Sequence, residues 1–240
     1  MQWGLGVNMD NERLLGLSEE FGEFLLSLQT LYHDALAGFA ILYQRLVEYQ
    51  TGLKACLSDP EVGSVEFQDK CLIGYKELCG EDFSVASESG SMLQGDVKKR
   101  TQRNGRNEIE MGRACVVIAY AYWDAYLHKE FDKALGFVGK SARKKLNDRI
   151  HNYFWEDMCR LRNAILHEKG RATKEFAEMR ILTWFSQGES LDLDFEKMKV
   201  IFDHLVDFRN WLGIISIPRY SPRFPSGYQS PKGIEGRSSG

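Results

Sequence analysis

One short stretch of this chain combines the residue types that act on phosphates without needing a metal. Arg162 is followed directly by Asn163 and, after three intervening residues, by His167. Arginine grips a phosphate through two N–H groups, and a histidine whose pKa lies near neutrality can remove a proton and return it. RNA carries its own nucleophile, the 2′-hydroxyl, so these side chains could cleave it.

Two arginines compete for the catalytic position on this stretch, which the apolar spacing predicts to be a helix over residues 149–168 ending near Gly170. At about 100° per residue, Arg160 shares a face with His167, whereas Arg162 lies about 140° away, nearer the apolar stripe. The wheel thus favours Arg160, but arginine is long and helix ends fray, so Arg162 also stays a candidate. Asp124 is predicted to be a buried carboxylate that holds the guanidinium of Arg162.

The charge of the chain is unevenly distributed along its length. Residues 1–97 carry 5 Lys and Arg against 16 Asp and Glu, residues 98–180 carry 19 against 11, and residues 181–240 carry 7 of each. The basic third contains the Arg162–His167 stretch, as expected if a polyanion binds there. The alternative is that these basic residues are solvated charge balanced by the acidic third.

Helical periodicity dominates the sequence, and no convincing strand alternation is present. The predicted helices cover residues 11–57 with a break near Gly38, and also 65–79, 108–135, 149–168, 176–185 and 194–212. Ser141 is predicted to cap a short helix, and Asp194 the last one. We therefore expect three regions: a helical N-terminal region (1–107), a core bundle (108–217) and a disordered tail (218–240). Ile234-Glu-Gly-Arg237 is a protease site common in expression vectors, so part of the tail could be vector-derived.

Residues 80–107 are poor in apolar side chains and are predicted to form a mobile loop. A flexible basic loop can follow a phosphate backbone, or it can be solvated charge, and the sequence does not decide between the two. The candidate RNA-binding residues in this loop are Lys98, Lys99, Arg100, Arg103 and Arg106.

Other chemistries fit the sequence less well. Residues 134–141 match a permissive P-loop pattern, but a helix rather than a strand precedes them. The five histidines are scattered without the spacing of zinc ligands, so neither a metal nor a cofactor is expected. The five cysteines are odd in number and lack C-x-x-C pairs, which indicates reduced thiols. With no basic leader and no run of about 18 apolar residues, we expect a cytoplasmic protein without a membrane span.

Two stretches resemble the HEPN superfamily. Residues 162–167 have the R-N-x-x-x-H form of its R-x4–6-H motif, and Tyr122-Trp123-Asp124-Ala125-Tyr126 resembles the first core helix of its larger members. The resemblance covers about residues 108–212 and implies an up-and-down helical bundle, here with an N-terminal helical extension. It also implies a homodimer in which the motifs of two protomers meet in one cleft.

The resemblance further implies a metal-independent endoribonuclease of the toxin–antitoxin or antiviral defence type. In that reading Arg162, Asn163 and His167 are catalytic, Asp124 and Arg160 support them, and an antitoxin or a defence-complex protein is a further partner beside RNA. The alternative is a non-catalytic HEPN-like helical module that binds nucleotides or partner proteins.

Overall fold

The computed structural model describes residues 10–57, 59, 61–79, 91–136 and 153–216. These residues are mostly helical, and the strands among them are one two-residue antiparallel pair, so the predicted all-α class is confirmed. In chain order the elements are α1 (Asn11–Cys56), α2 (Val65–Gln68), β1 (Leu72–Ile73), α3 (Tyr75–Cys79), β2 (Met92–Leu93), α4 (Gln94–Thr101), α5 (Arg106–Tyr122), a π-helical turn (Trp123–Leu127), α6 (His128–Ala134), α7 (Tyr153–His167), a 3-10 turn (Lys174–Glu178) and α8 (Phe195–Ile215).

Helix α1 runs unbroken for 46 residues. It begins after Asp10, whose carboxylate accepts the backbone N–H of Arg13 at 2.9 Å and so caps the first turn. The break predicted at Gly38 is absent, because a single glycine costs only about 1 kcal/mol inside a helix. By length and composition alone α1 could cross a membrane, and the core helix of a soluble protein passes the same test, so the expectation of no membrane span stays a prediction.

The described residues belong to two compact units that share the three longest helices. One unit comprises Met1–Leu25, Val116–Leu191 and Asp203–Gly240, and the other comprises Leu26–Cys115 and Asp192–Phe202. Each unit therefore draws on separate stretches of the sequence, so its core depends on long-range packing rather than on neighbouring residues. The linear division at residue 107 stays a prediction.

The first unit has an aromatic core. The rings of Trp123 and Trp155 stack with their centroids 4.5 Å apart, and Phe208 meets Trp155 edge-on at 5.4 Å. Phe21 of α1 contacts Phe208 in the same edge-on arrangement at 5.9 Å. Such pairs add about 0.5–1.5 kcal/mol each beyond the area that they bury, so this cluster fixes the packing of α7.

The second unit is built around the middle of α1. A small apolar cluster joins Leu46 to Ile73, Leu78 and Val97, all of them buried. Beside it the buried side chain of Gln50 donates from its Nε2 to Asp69 Oδ1 at 3.0 Å and to Gln94 Oε1 at 3.1 Å. These two bonds tie α1 to the segments that flank the β1–β2 pair.

The structure corrects several predicted elements. Residues 65–79 form α2, β1 and α3 instead of one helix, and residues 92–101, predicted as loop, form β2 and α4. Residues 176–185 are not a helix: a 3-10 turn spans Lys174–Glu178 and irregular chain follows. The predicted cap Ser141, the P-loop-like residues 137–141, residues 80–90 of the predicted loop and the tail 218–240 lie outside the described residues.

The predicted helix over residues 108–135 contains a π-helical turn, Trp123–Leu127, between α5 and α6. A π turn inserts one extra residue into the helical register and rotates every following side chain. Asp124 lies in this turn and its side chain is exposed, so the prediction of a buried carboxylate was wrong. A periodicity of 3.6 residues cannot anticipate a local change of register.

Candidate active site

Helix α7 carries the Arg162–His167 stretch and remains regular to its end. The backbone N–H of Glu168 still bonds to the carbonyl of Ala164 at 3.1 Å, so the helix does not fray before His167. In a regular helix, five residues correspond to about 7.5 Å along the axis and about 140° around it. Within one chain, Arg162 and His167 therefore project from different sides of α7.

The end of α7 is set by two residues in the left-handed region. Lys169 has φ 54° and Gly170 has φ 71°, and the N–H of Gly170 reaches back to the carbonyl of Ala164 at 3.0 Å. Glycine adopts this conformation without steric cost, which is why it commonly ends helices. The predicted stop at Gly170 is confirmed.

A chain of polar contacts links Arg162 to α5. The Nη1 of Arg162 donates to Asn163 Oδ1 at 2.8 Å, and Asn163 Nδ2 lies 3.7 Å from the sulfur of Cys159. The Tyr120 hydroxyl completes the chain through a hydrogen bond with Cys159. Both Arg162 and Asn163 are half-buried, so their orientations are restricted.

Burial and the hydrogen bond with Cys159 raise the pKa of Tyr120 well above its usual value. The charge of Asp124 raises this pKa further and that of Arg162 lowers it, so both charges act on the same phenol. No ion pair joins Asp124 to Arg162 among the described residues, so the predicted clamp on the arginine is absent. Asn163 holds the guanidinium instead.

Arg160 has a different environment. Its Nη2 lies 3.1 Å from Glu178, and its Nη1 lies 3.4 Å from Asp157 and 4.0 Å from Glu156. A guanidinium surrounded by three carboxylates has its charge balanced within the protein, which leaves little of it for a phosphate. The structure thus separates the two candidate arginines: Arg160 joins parts of the fold, and Arg162 is free of carboxylate pairs in the described part of the chain.

Asp157 is a structural residue that the sequence reasoning missed. Its side chain is fully buried and accepts the backbone N–H groups of Arg180, Ile181 and Leu182 at 3.1, 2.8 and 3.0 Å. These donors would otherwise need carbonyl partners in a helix, which explains why the helix predicted over 176–185 is absent. The available signal was a charged residue on the apolar stripe of α7, beside Met158.

His167 is exposed at the end of α7. Its imidazole has no hydrogen-bond or ion-pair partner among residues 10–57, 59, 61–79, 91–136 and 153–216. It shares one side of the helix with Cys159 and Asn163, since the three residues recur at intervals of four. An exposed imidazole on that side is open to a substrate or to a second protein.

The basic segment belongs to the second unit and is more ordered than predicted. Lys98, Lys99 and Arg100 lie in the last turn of α4, where cations favour the helix dipole. Arg100 is half-buried, with its Nη2 2.7 Å from the sulfur of Met92, so it presents little charge to solvent. Arg103 and Arg106 are about three-quarters exposed, at 78% and 76%.

Among the described residues no group of three or more His, Cys, Asp or Glu side chains is arranged to hold a metal ion. All five cysteines are unpaired by disulfides, and Cys115 is the most deeply buried of them. Burial raises the pKa of the Cys115 thiol to about 11, so it stays protonated at neutral pH.

Comparison of the chain with protein-family models, with curated proteins and with solved structures gave no significant match. The resemblance to the HEPN superfamily therefore depends on the residues quoted from the sequence.

Proposed function

We propose that this protein is a metal-independent endoribonuclease of the HEPN type, acting in the cytoplasm in a toxin–antitoxin or antiviral defence system. The observation that carries the proposal is the different environment of the two arginines on α7. Arg160 is balanced by carboxylates, whereas Arg162 is held by a neutral amide, Asn163, and keeps its charge for an anionic ligand. His167, on the same helix, is exposed.

The chemistry follows from these groups. Neutral His167 would remove the proton of a 2′-hydroxyl, which then attacks the adjacent phosphorus. Arg162 would bind the phosphate and offset the negative charge that builds up in the transition state. The bond to the 5′-oxygen breaks, the imidazolium returns its proton to that oxygen, and the products are a 2′,3′-cyclic phosphate and a 5′-hydroxyl.

The proposal includes a homodimer, and helix geometry gives the reason. Because Arg162 and His167 diverge by about 140° on a regular helix, one copy of α7 does not aim both groups at a single phosphate. A two-fold axis beside α7 would let a second copy supply the missing group. The exposed His167 and the half-buried Asn163 lie on the side of the helix that such a contact would use.

A second candidate function is a non-catalytic helical module that binds nucleotides or a partner protein such as an antitoxin. It is favoured by the contact between Arg162 and Asn163, since the amide oxygen is already occupied by the guanidinium. A pair locked in this way could recognise a phosphate or a carboxylate without any proton transfer.

The test measures cleavage of single-stranded RNA by the purified protein in excess EDTA. We expect cleavage with 2′,3′-cyclic phosphate ends, and a loss of about 10²-fold or more in His167→Ala, the scale expected for removal of a general base. Arg162→Ala should lose a similar factor. Arg160→Ala is the matched control, because its guanidinium is balanced by carboxylates: per folded molecule it should stay within a few fold of wild type.

Circular dichroism and light scattering would establish that each variant remains folded and in the oligomeric state of the wild type. Cleavage that needs Mg²⁺, or products with 5′-phosphates, would contradict the mechanism. If His167→Ala cleaves RNA as well as the wild type does, or if the wild type itself does not cleave RNA, the binding module becomes the preferred function.

A further inference from the structure

The core-facing side of helix α1 is buried at Tyr32 and at Leu46 and only partly covered between them. Tyr32 and Leu46 are 1% and 0% exposed, and both lie on the face that α1 turns toward its core. On the same face, Leu36, Phe39 and Tyr43 are only half-buried. The apolar side of α1 between Leu36 and Tyr43 thus lacks a full cover within the second unit.

This partly covered side forms the floor of a groove of about 510 Å³. The opposite walls come from the end of α4 and the residues after it, which include Arg103, and from the start of α8, which contributes Phe195. Apolar side chains dominate the lining, and all lining residues belong to one unit.

Aromatic rings line the groove, and their faces are not used up by stacking on one another. Phe39, Tyr43 and Phe195 are all half-buried lining residues. The only ring contact made by any of the three in the described chain is an edge-on one between Phe195 and His33, at 6.4 Å. Partly exposed aromatic faces in a groove are platforms on which flat, apolar ligands stack.

The rim of the groove is basic. Arg103 lines it and is 78% exposed, with one weak surface contact at 3.7 Å to Glu196. Arg106 and Lys99, close by in the chain, are also exposed, and Arg106 lies 3.9 Å from the carboxylate of Glu110. The one acidic lining residue, Glu108, is buried and its carboxylate accepts the backbone N–H groups of Asn104 and Phe195 at 2.9 and 2.8 Å. Glu108 therefore holds the walls together. The exposed rim carries three cations, Lys99, Arg103 and Arg106, against the carboxylates of Glu196 and Glu110. Ion pairs this exposed are weak, unlike those of the largely buried Arg160, so a phosphate can compete for the arginines.

We infer that this groove binds single-stranded RNA, with bases stacked on Phe39, Tyr43 and Phe195 and with backbone phosphates on Arg103 and its basic neighbours. Stacking rings beside a line of cations is the arrangement by which proteins hold single strands without reading their sequence. The inference rests on the proposed function, since it takes RNA as the ligand, but it concerns a site remote in sequence from Arg162 and His167. Duplex RNA keeps its bases stacked inside and has nothing to insert.

The experiment measures fluorescence anisotropy of a labelled single-stranded oligonucleotide of about 12 nucleotides, with 2′-O-methyl groups throughout. These groups block the 2′-hydroxyl, so binding is measured without cleavage. Phe39→Ala should weaken affinity by about tenfold, the scale for losing one stacked base. Arg103→Gln should weaken it less at high salt than at low salt, and should reduce the slope of log affinity against log salt by about 0.7.

Matched controls come from the same unit. Phe67→Ala removes a phenyl ring that is 45% exposed and lies outside the groove, and Lys70→Gln removes an exposed cation away from it. Both should bind the oligonucleotide as the wild type does. Crosslinking of the unsubstituted protein to a 4-thiouridine oligonucleotide, followed by mass spectrometry, should place the crosslinks within residues 36–43, 101–108 or at Phe195, and needs no variant to fold.

Unchanged affinity in Phe39→Ala, or crosslinks confined to other segments, would overturn the inference. The inference would also be overturned if the groove bound a ligand of another class. An acidic amphipathic peptide or an anionic vesicle would be such a ligand if its binding were lost in Phe39→Ala while the binding of RNA was kept. Failure of the proposed function is seen separately, as absence of cleavage of unmodified RNA by a protein that still binds the oligonucleotide.

Discussion

Removal of the Asp157 carboxylate should strongly destabilise the protein. The side chain has 0% exposure and accepts three backbone N–H groups, from Arg180, Ile181 and Leu182, in addition to its contact with Arg160 at 3.4 Å. A buried carboxylate is tolerated only because these donors replace its hydration. In Asp157→Ala the donors and the guanidinium lose their acceptor together.

The magnitude follows from these contacts. Hydrogen bonds to a charged group contribute about 1.5–3 kcal/mol each, and three of them sum to about 4.5–9 kcal/mol. Part of this is recovered, because Arg180 is exposed and its N–H can turn to water. Removing one partner of a buried charged pair costs about 3–5 kcal/mol in measured cases, and we expect Asp157→Ala to fall in that range. Since whole domains are stable by about 5–15 kcal/mol, the variant should be marginal.

Two further variants sharpen the test. Asp157→Asn keeps the shape and one acceptor oxygen but turns an NH2 group toward backbone donors, so we expect it to be intermediate. Glu156→Gln is the matched control, because Glu156 is the adjacent residue, its side chain is 41% exposed and it lies 4.0 Å from Arg160. Exposed ion pairs are worth about 0–1 kcal/mol, so the control should stay near wild type.

The assay is equilibrium unfolding in urea followed by far-UV circular dichroism. The midpoint should fall while the slope m stays constant, since m reports the surface exposed on unfolding and the fold is unchanged. A loss below about 1 kcal/mol in Asp157→Ala, or one no larger than in Glu156→Gln, would refute the reasoning. Either result would mean that water or another acceptor satisfies the N–H groups around Ile181.

Three other changes test separate parts of the structure. Burial lowers the pKa of His204 from its ordinary 6.5, so the folded protein takes up this proton at a lower pH than the unfolded chain does. The free energy of unfolding should therefore fall as the pH drops below about 6.5, and the urea midpoint of His204→Gln should lose that pH dependence. The hydrogen bond from the Tyr126 hydroxyl is the main reason why the pKa of Glu20 is lowered, and Arg13 is the second. Tyr126→Phe should therefore move the pKa of Glu20 up toward 4.5 in an NMR titration, and an unchanged pKa would contradict this reasoning. A Cβ at Gly112 would lie 2.5 Å from the backbone oxygen of Leu193, so Gly112→Ala should lower stability by about 1–3 kcal/mol, whereas a gain would show that the backbone yields.

The sequence by itself determined the helical class and the ends of its most periodic elements. The repeating apolar residues of α1 and α8 require a helix that buries one side, and the left-handed conformation that glycine adopts freely explains the stop at Gly170. The cap on α8 was also readable, since the carboxylate of Asp194 accepts the N–H of Lys197 at 3.0 Å. These are local features, fixed by neighbours within one or two turns.

Tertiary structure decided what local pattern could not. Residues 176–185 have helical spacing, yet the N–H groups of Ile181 and Leu182 bond to Asp157, 24 and 25 residues earlier, so no helix forms there. Asp124 is exposed because a π turn changes the register of its helix. The distinction between Arg160 and Arg162 also depends on distant contacts, chiefly Glu178. Sequence spacing gives the angle of a side chain around its own helix, but its partners come from elements that only folding brings together.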